Sequence, residues 1–204
     1  LPHSTQIKIR NEGENTTWMT LKSKLAGDAS EGIKYFSTTP LQEQVAGVFD
    51  QWQVQGKVES ELHAHIPLSQ GDKKNDLSIR LNSQLHDVDI EMMNLGLSFN
   101  NINGIIKFDT EQGLTAKALK GEAFSGLTTA DISSTKESSG FDIRINAQGE
   151  AKAEAIKTWL PLFILKPISG DFNYTLDFQI RPIERGGLLF NIASDLRGIT
   201  IDAP

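Results

Sequence analysis

Between positions 54 and 66 the chain alternates. Even positions read Val54, Gly56, Val58, Ser60, Leu62, Ala64 and Ile66, whereas odd ones read Gln55, Lys57, Glu59, Glu61, His63 and His65. A period of two sends successive side chains to opposite faces, which predicts a long strand with one covered face. After a polar turn at 70–75 the pattern resumes at Leu77, Ile79, Leu81 and Leu85, then changes phase to Val88, Ile90 and Met92. A slip of one residue turns the apolar set outward, so a bulge is expected near His86-Asp87. Leu95, Leu97 and Phe99 begin the next strand, which slips again before Ile102 and runs to Phe108; a turn at 109–113 leads into Leu114, Ala116 and Ala118. Segments 127–132 and 141–147 pair around a turn at 135–140. Ile168, Phe172, Tyr174, Leu176, Phe178 and Ile180 then form the clearest inward row, opposite Asp171, Asn173, Thr175, Asp177, Gln179 and Arg181. Past Arg185-Gly186-Gly187, Leu188, Phe190 and Ile192 make a final strand.

Helical signals are few. Thr39-Pro40 suits an N-cap followed by Pro at the first helical position, with Leu41, Val45, Val48 and Trp52 recurring at three to four residues. Ala151 to Trp159 is short, charged and Ala-rich, and Pro161 closes it. Both read as plugs or lids. At least two strands run for roughly a dozen residues, about 40 Å at ~3.3 Å per residue, and each carries an apolar face that must be covered. Two short helices do not suffice. The architectures left open are a sandwich folded from one sheet, a closed barrel, and a strongly curved antiparallel sheet whose concave side takes a ligand or partner.

The 204 residues suit one continuous β-unit. Twenty basic against 26 acidic residues give a net charge of −6, which disfavours a nucleic-acid partner. No apolar run approaches the ~20 residues of a membrane-spanning helix. With no cysteine, thiolate catalysis, disulfides and cysteine-based zinc sites are excluded. The start at Leu1 and stop at Pro204 read as a piece of a longer protein.

Candidate chemistry is sparse. His63 and His65, joined by His86, Asp87 and Asp89, have spacing compatible with a metal, yet the two histidines alternate with Leu62, Ala64 and Ile66 and so belong to the solvated face. There is no His-Glu-x-x-His pattern and no Gly-x-Ser-x-Gly elbow; Gly186-Gly187 reads as a turn, not a phosphate loop. Asp87 and Asp89 as an acid/base pair look like any exposed strand face. Trp18, Trp52 and Trp159 are scattered, the latter two expected at helix ends as core anchors. No catalytic residue, metal or cofactor is assigned, and the chain is read as not an enzyme.

Three blocks carry a resemblance. They are Trp52-Gln53-Val54-Gln55-Gly56-Lys57-Val58 leading into Ile66-Pro67-Leu68; Leu97-Ser98-Phe99-Asn100-Asn101-Ile102-Asn103-Gly104 with Ile105 to Phe108 and Gly113-Leu114-Thr115-Ala116; and Ser194-Asp195-Leu196-Arg197-Gly198-Ile199-Thr200-Ile201-Asp202. In order and spacing they resemble the AsmA-like proteins of Gram-negative envelopes, YhdP type, from about Thr39 onward. The resemblance implies a mostly-β segment spanning 1–204 of a longer periplasmic protein anchored in the inner membrane. Its long curved antiparallel sheet would form a U-shaped apolar groove that passes phospholipids between inner and outer membranes. The implied partners are phospholipid acyl chains, neighbouring groove segments of the full-length chain, and membranes at its ends. The expected groove lining is Val54, Val58, Leu62, Ile66, Leu77, Ile79, Leu81, Leu97, Phe99, Phe172, Tyr174, Leu176, Phe178, Ile180, Phe190 and Ile192. On that footing Leu176→Arg or Phe178→Glu should impair transport while the fold survives. The competing reading is a scaffolding β-sandwich of the envelope with protein partners.

Overall fold

The computed structural model describes residues 4–11, 17–37, 52–68, 77–138, 140–182 and 185–202. Among these residues eleven strands form one antiparallel sheet, β1 to β10 in chain order: β1 (Ser4–Asn11), β2 (Thr17–Asp28), β3 (Trp52–Pro67), β4 (Ser78–Met92), β5 (Leu97–Asp109), β6 (Gly113–Ala123), β7 (Gly126–Glu137), β8 (Gly140–Lys152), β9 (Ile168–Ile180) and β10 (Leu188–Ala193), with β11 (Ile199–Ile201) returning to β9. β10 and β11 share the outer edge of β9, β10 against 175–180 and β11 against 168–170. Among the described residues no pairing joins β1 to β10, so the sheet is not closed into a barrel.

Two short helices sit at the same end of the strands: α1 (Ala29–Ser37) between β2 and β3, and α2 (Ala153–Trp159) between β8 and β9. The sequence reading missed α1, although Asp28 followed by Glu31 has the spacing of a capping box. Asp28 Oδ1 accepts the Ser30 N–H at 2.9 Å, and the Ser30 hydroxyl and N–H hold the Asp28 carboxyl below its ordinary range. The helix expected after Thr39-Pro40 lies outside the described residues, except Trp52, which is the first residue of β3 and not a helix end. The second expected helix begins two residues late, because Ala151 and Lys152 still pair with Phe172 and Asp171. β1 and β2 were also unread, despite the alternation Gln6-Ile7-Lys8-Ile9-Arg10.

Both expected phase slips are bulges, and the structure adds a third. Extra residues occur on β4 at Asp87, on β5 at Asn101 and on β6 at Ala118, each in the left-handed region at φ 48°, 53° and 50°. Every spare N–H is taken by a side chain across the pair: Asp87 N–H by Asn103 Oδ1 at 3.2 Å, Asn101 N–H by Asp89 Oδ1 at 2.9 Å, Ala118 N–H by Asp131 Oδ1 at 2.8 Å. Ala118, expected to face inward, is exposed, and Leu119 takes its place. Bulges bend the strands that carry them. The neighbouring Gly56 belongs to this device, because a Cβ there would stand 2.6 Å from the Asp87 carbonyl.

The sheet curls tightly at β5 to β9. Phe108 on β5 and Phe141 on β8 meet edge-on with ring centroids 6.4 Å apart, whereas strands three apart in a flat sheet would be separated by about 14 Å. The curl buries Phe108, Ile132, Phe141, Ile143, Leu176, Phe178 and Ile180 in one cluster.

Candidate functional site: an apolar groove

The inward positions line up across the strands. One continuous row runs Ser60, Ser83, Ile106, Ala116, Ile132, Ile145, Phe178, Phe190, from β3 to β10. Phase slips at the bulges keep such rows intact, since each strand changes inward parity where its backbone gains a residue. The opposite face carries exposed ion pairs such as Lys24–Glu61 at 2.8 Å and Arg80–Asp109 at 3.0 Å, which contribute little to stability.

Within the curl lies a cavity of about 290 Å³. Its wall is almost wholly apolar and is built by α1 at Ala29, Gly32 and Ile33, by β3 at Val54 and Val58, and by inward residues of β4 to β9. A smaller cluster of Ala29, Val54 and Val88 seats α1 on the sheet. At Gly32 an added Cβ would meet no atom within 4 Å.

At the helix end of β5 to β9 the space is filled. Trp159 of α2 donates its Nε1–H to the Leu95 carbonyl at 2.8 Å and packs on Phe124 and Phe190, with centroids 5.4 and 5.5 Å away. α2 therefore plugs the groove between the β4–β5 turn and β10. Tyr174 crosses Gly149 of β8 to reach Thr128 of β7, the two hydroxyl oxygens 2.7 Å apart. Burial pushes the Tyr174 phenol above its ordinary pKa, with the Thr128 hydrogen bond acting the other way.

The residues expected to form the lining divide into three groups. Val54, Val58, Leu81, Phe99, Leu176, Phe178 and Ile180 stand on the cavity wall. Leu62, Ile66, Leu77 and Ile79 are half-buried toward the other end of β3 and β4 and lie off that wall. Leu97 and Tyr174 are buried, and Phe172, Phe190 and Ile192 half-buried, in the packed cluster that also takes Ile156 and Trp159 of α2. Leu176 and Phe178 retain only 3% and 2% of their exposure. A charge there would be buried without a partner, so Leu176→Arg and Phe178→Glu are expected to destabilise the fold, where the sequence reading expected the fold to survive. The contribution of α1 to the wall was missed with the helix itself.

His63 and His65 are exposed on the opposite face; His65 stacks on Trp18 with centroids 4.3 Å apart. Among the described residues no three His, Asp or Glu side chains gather where they could hold a metal. No described helix is long and apolar enough to cross a membrane.

The quoted sequence blocks have structural roles. Asn101, Ile102, Asn103 and Gly104 supply the β5 bulge, an inward side chain, the acceptor for the β4 bulge and the close approach of Leu119. Ser194 Oγ donates to the Asn173 carbonyl at 2.6 Å and accepts the Leu196 N–H at 2.9 Å, fixing the turn that lays β11 on β9. A family model described as YhdP protein matches residues 3–204. No curated protein and no solved structure matches the chain.

Proposed function

Because the chain belongs to the YhdP family, we propose that it is a segment of a periplasmic, AsmA-like conduit that passes phospholipids between the inner and outer membranes and so maintains the outer-membrane barrier. The observation that carries this reading is the open, curled sheet whose concave side holds an apolar cavity of about 290 Å³. Taking two sixteen-carbon acyl chains through water costs on the order of 20 kcal/mol at ~0.8 kcal/mol per CH₂. A groove wall made of Val, Leu, Ile and Phe side chains lowers that barrier by replacing water around the chains, so the task needs no reacting side chain. Head groups stay at the wet opening. In this reading the protein is a conduit and not an enzyme, and neighbouring segments of a longer chain continue the groove.

Gly32 offers the test. Gly32→Phe places a ring where space is open, and exchanging Gly in a helix interior raises helix propensity by roughly 0.5 kcal/mol. The expected outcome is a chain at least as heat-stable as the original that has lost its co-purifying phospholipid, as read by native mass spectrometry. A wild-type chain free of lipid, and unchanged in melting temperature when phospholipid is added, would overturn the conduit in favour of a scaffold. Equal lipid in the variant would place the lipid elsewhere.

A further inference from the structure

On a wall that also includes Thr128, Lys107, Lys120 and Glu122, two hydroxyls stand face to face. Ser60 of β3 and Ser83 of β4 are directly paired, both line the cavity, and their hydroxyl oxygens are 2.8 Å apart. Ser83 is 5% exposed. Two hydroxyls bring two protons, and their mutual bond uses one. Neither makes another hydrogen bond among the described residues. Their partners along the same row are apolar, Leu25 on one side and Ile106 on the other, and Val58 and Leu85 face each other one step along the same strand pair. Hence a hydroxyl donor is left over in a carbon surface, where a partner is worth most.

Resting on the conduit reading, we propose that the Ser60–Ser83 pair is a docking point for the ester carbonyl of an acyl chain. An ester carbonyl is neutral, brings no donor of its own and can accept the single spare proton. A phosphate would bring a negative charge that one hydroxyl does not compensate. The pair also relays polarity, because a hydroxyl that donates to the carbonyl becomes a better acceptor for its neighbour. The site sets the depth at which a glycerolipid stops along the groove: chains lie on the Val, Leu and Ile rows while the ester rests between β3 and β4.

The test compares a diacyl phospholipid with its diether analogue of the same chains and head group, competing for the 204-residue chain, with occupancy read by native mass spectrometry. The diether lacks only the carbonyl oxygens. One hydrogen bond corresponds to a preference of about three- to tenfold for the diester. Ser60→Ala combined with Ser83→Ala removes both hydroxyls and leaves no orphan; it should bring the ratio to one while diether occupancy stays unchanged. Equal occupancy of the two lipids in the wild type overturns the docking point and leaves the conduit standing. Binding of neither lipid overturns both. A preference that survives in the double variant places the ester elsewhere and also overturns the assignment. The wild-type ratio is readable whether or not the variant folds.

Discussion

Tyr174, Gly149 and Thr128 show how single residues set the curl. Thr128 pairs with Gly149 and Gly149 with Tyr174, so the Tyr174 ring lies over a position that has no side chain. A Cβ on Gly149 would stand 2.7 Å from Thr128 Oγ1. The hydroxyl bond between β7 and β9 then ties together strands that do not pair directly. Tyr174→Phe leaves the Thr128 hydroxyl buried without a partner and should cost about 1–3 kcal/mol. For a chain of this size that is a fall of roughly 2–4 °C in melting temperature per kcal/mol. Adding Thr128→Val to the same variant removes the orphan and should recover most of the loss. Calorimetry on the two single variants and the double variant checks it, and strict additivity would show that the two hydroxyls do not depend on each other.

Among the elements, the bulged strands decide the shape of the wall, and their legibility in sequence was uneven. The slips before Val88 and Ile102 are readable because large apolar side chains stand on both sides of each. The slip at Ala118 is not, since alanine fits a covered or an open position equally well and Leu119 alone carries the new phase. α1 escaped because Gly32 weakens its helical pattern, and that same glycine leaves room in the cavity. The Ala118 bulge also has a pH signature. Its N–H, and then the Lys117 ammonium, hold the Asp131 carboxyl below the ordinary carboxylate range. A carboxyl depressed in the folded state stabilises the protein fully above its unfolded pKa, and the contribution fades as pH falls through the folded one. Asp131→Asn should therefore melt below the wild type by a constant interval above about pH 5; the interval should begin to shrink as pH falls through about 4, the unfolded carboxyl's range, and close only below the lowered folded-state pKa. Thermal scans between neutral pH and the acid limit of refolding measure the interval; one that persists undiminished in acid would mean that the ionised form is not what holds the bulge.

For the whole molecule, the sequence was clear about which face of each strand is apolar and silent about how far the sheet curls. Periodicity assigns Leu176 and Val58 to the same side, yet Leu176 is 3% exposed inside the curl whereas Val58 is half-buried beside α1. Curl is set by bulges, by glycines under large rings and by the plug of α2, none of which changes the alternation. The same layout makes stability uneven along the sheet, because strands pair only with their neighbours in sequence apart from β11, and burial rises from one edge inward. β1 is exposed at all eight residues, with Ile7 and Ile9 at 58% and 66% on the groove face, whereas β9 buries Tyr174, Leu176, Phe178 and Ile180. An array of this kind opens from its weak end, and amide exchange follows the local opening energy. Amides of β8 and β9 should exchange most slowly and those of β1 among the fastest. Added phospholipid should slow exchange in α1, β3 and β4, which contribute to the cavity wall, and leave the already protected β9 unchanged. Exchange mass spectrometry on the chain with and without lipid reads both effects. If β1 were as protected as β9 in the isolated chain, its outer edge would have to be paired in solution, and the gradient argued from burial would fail.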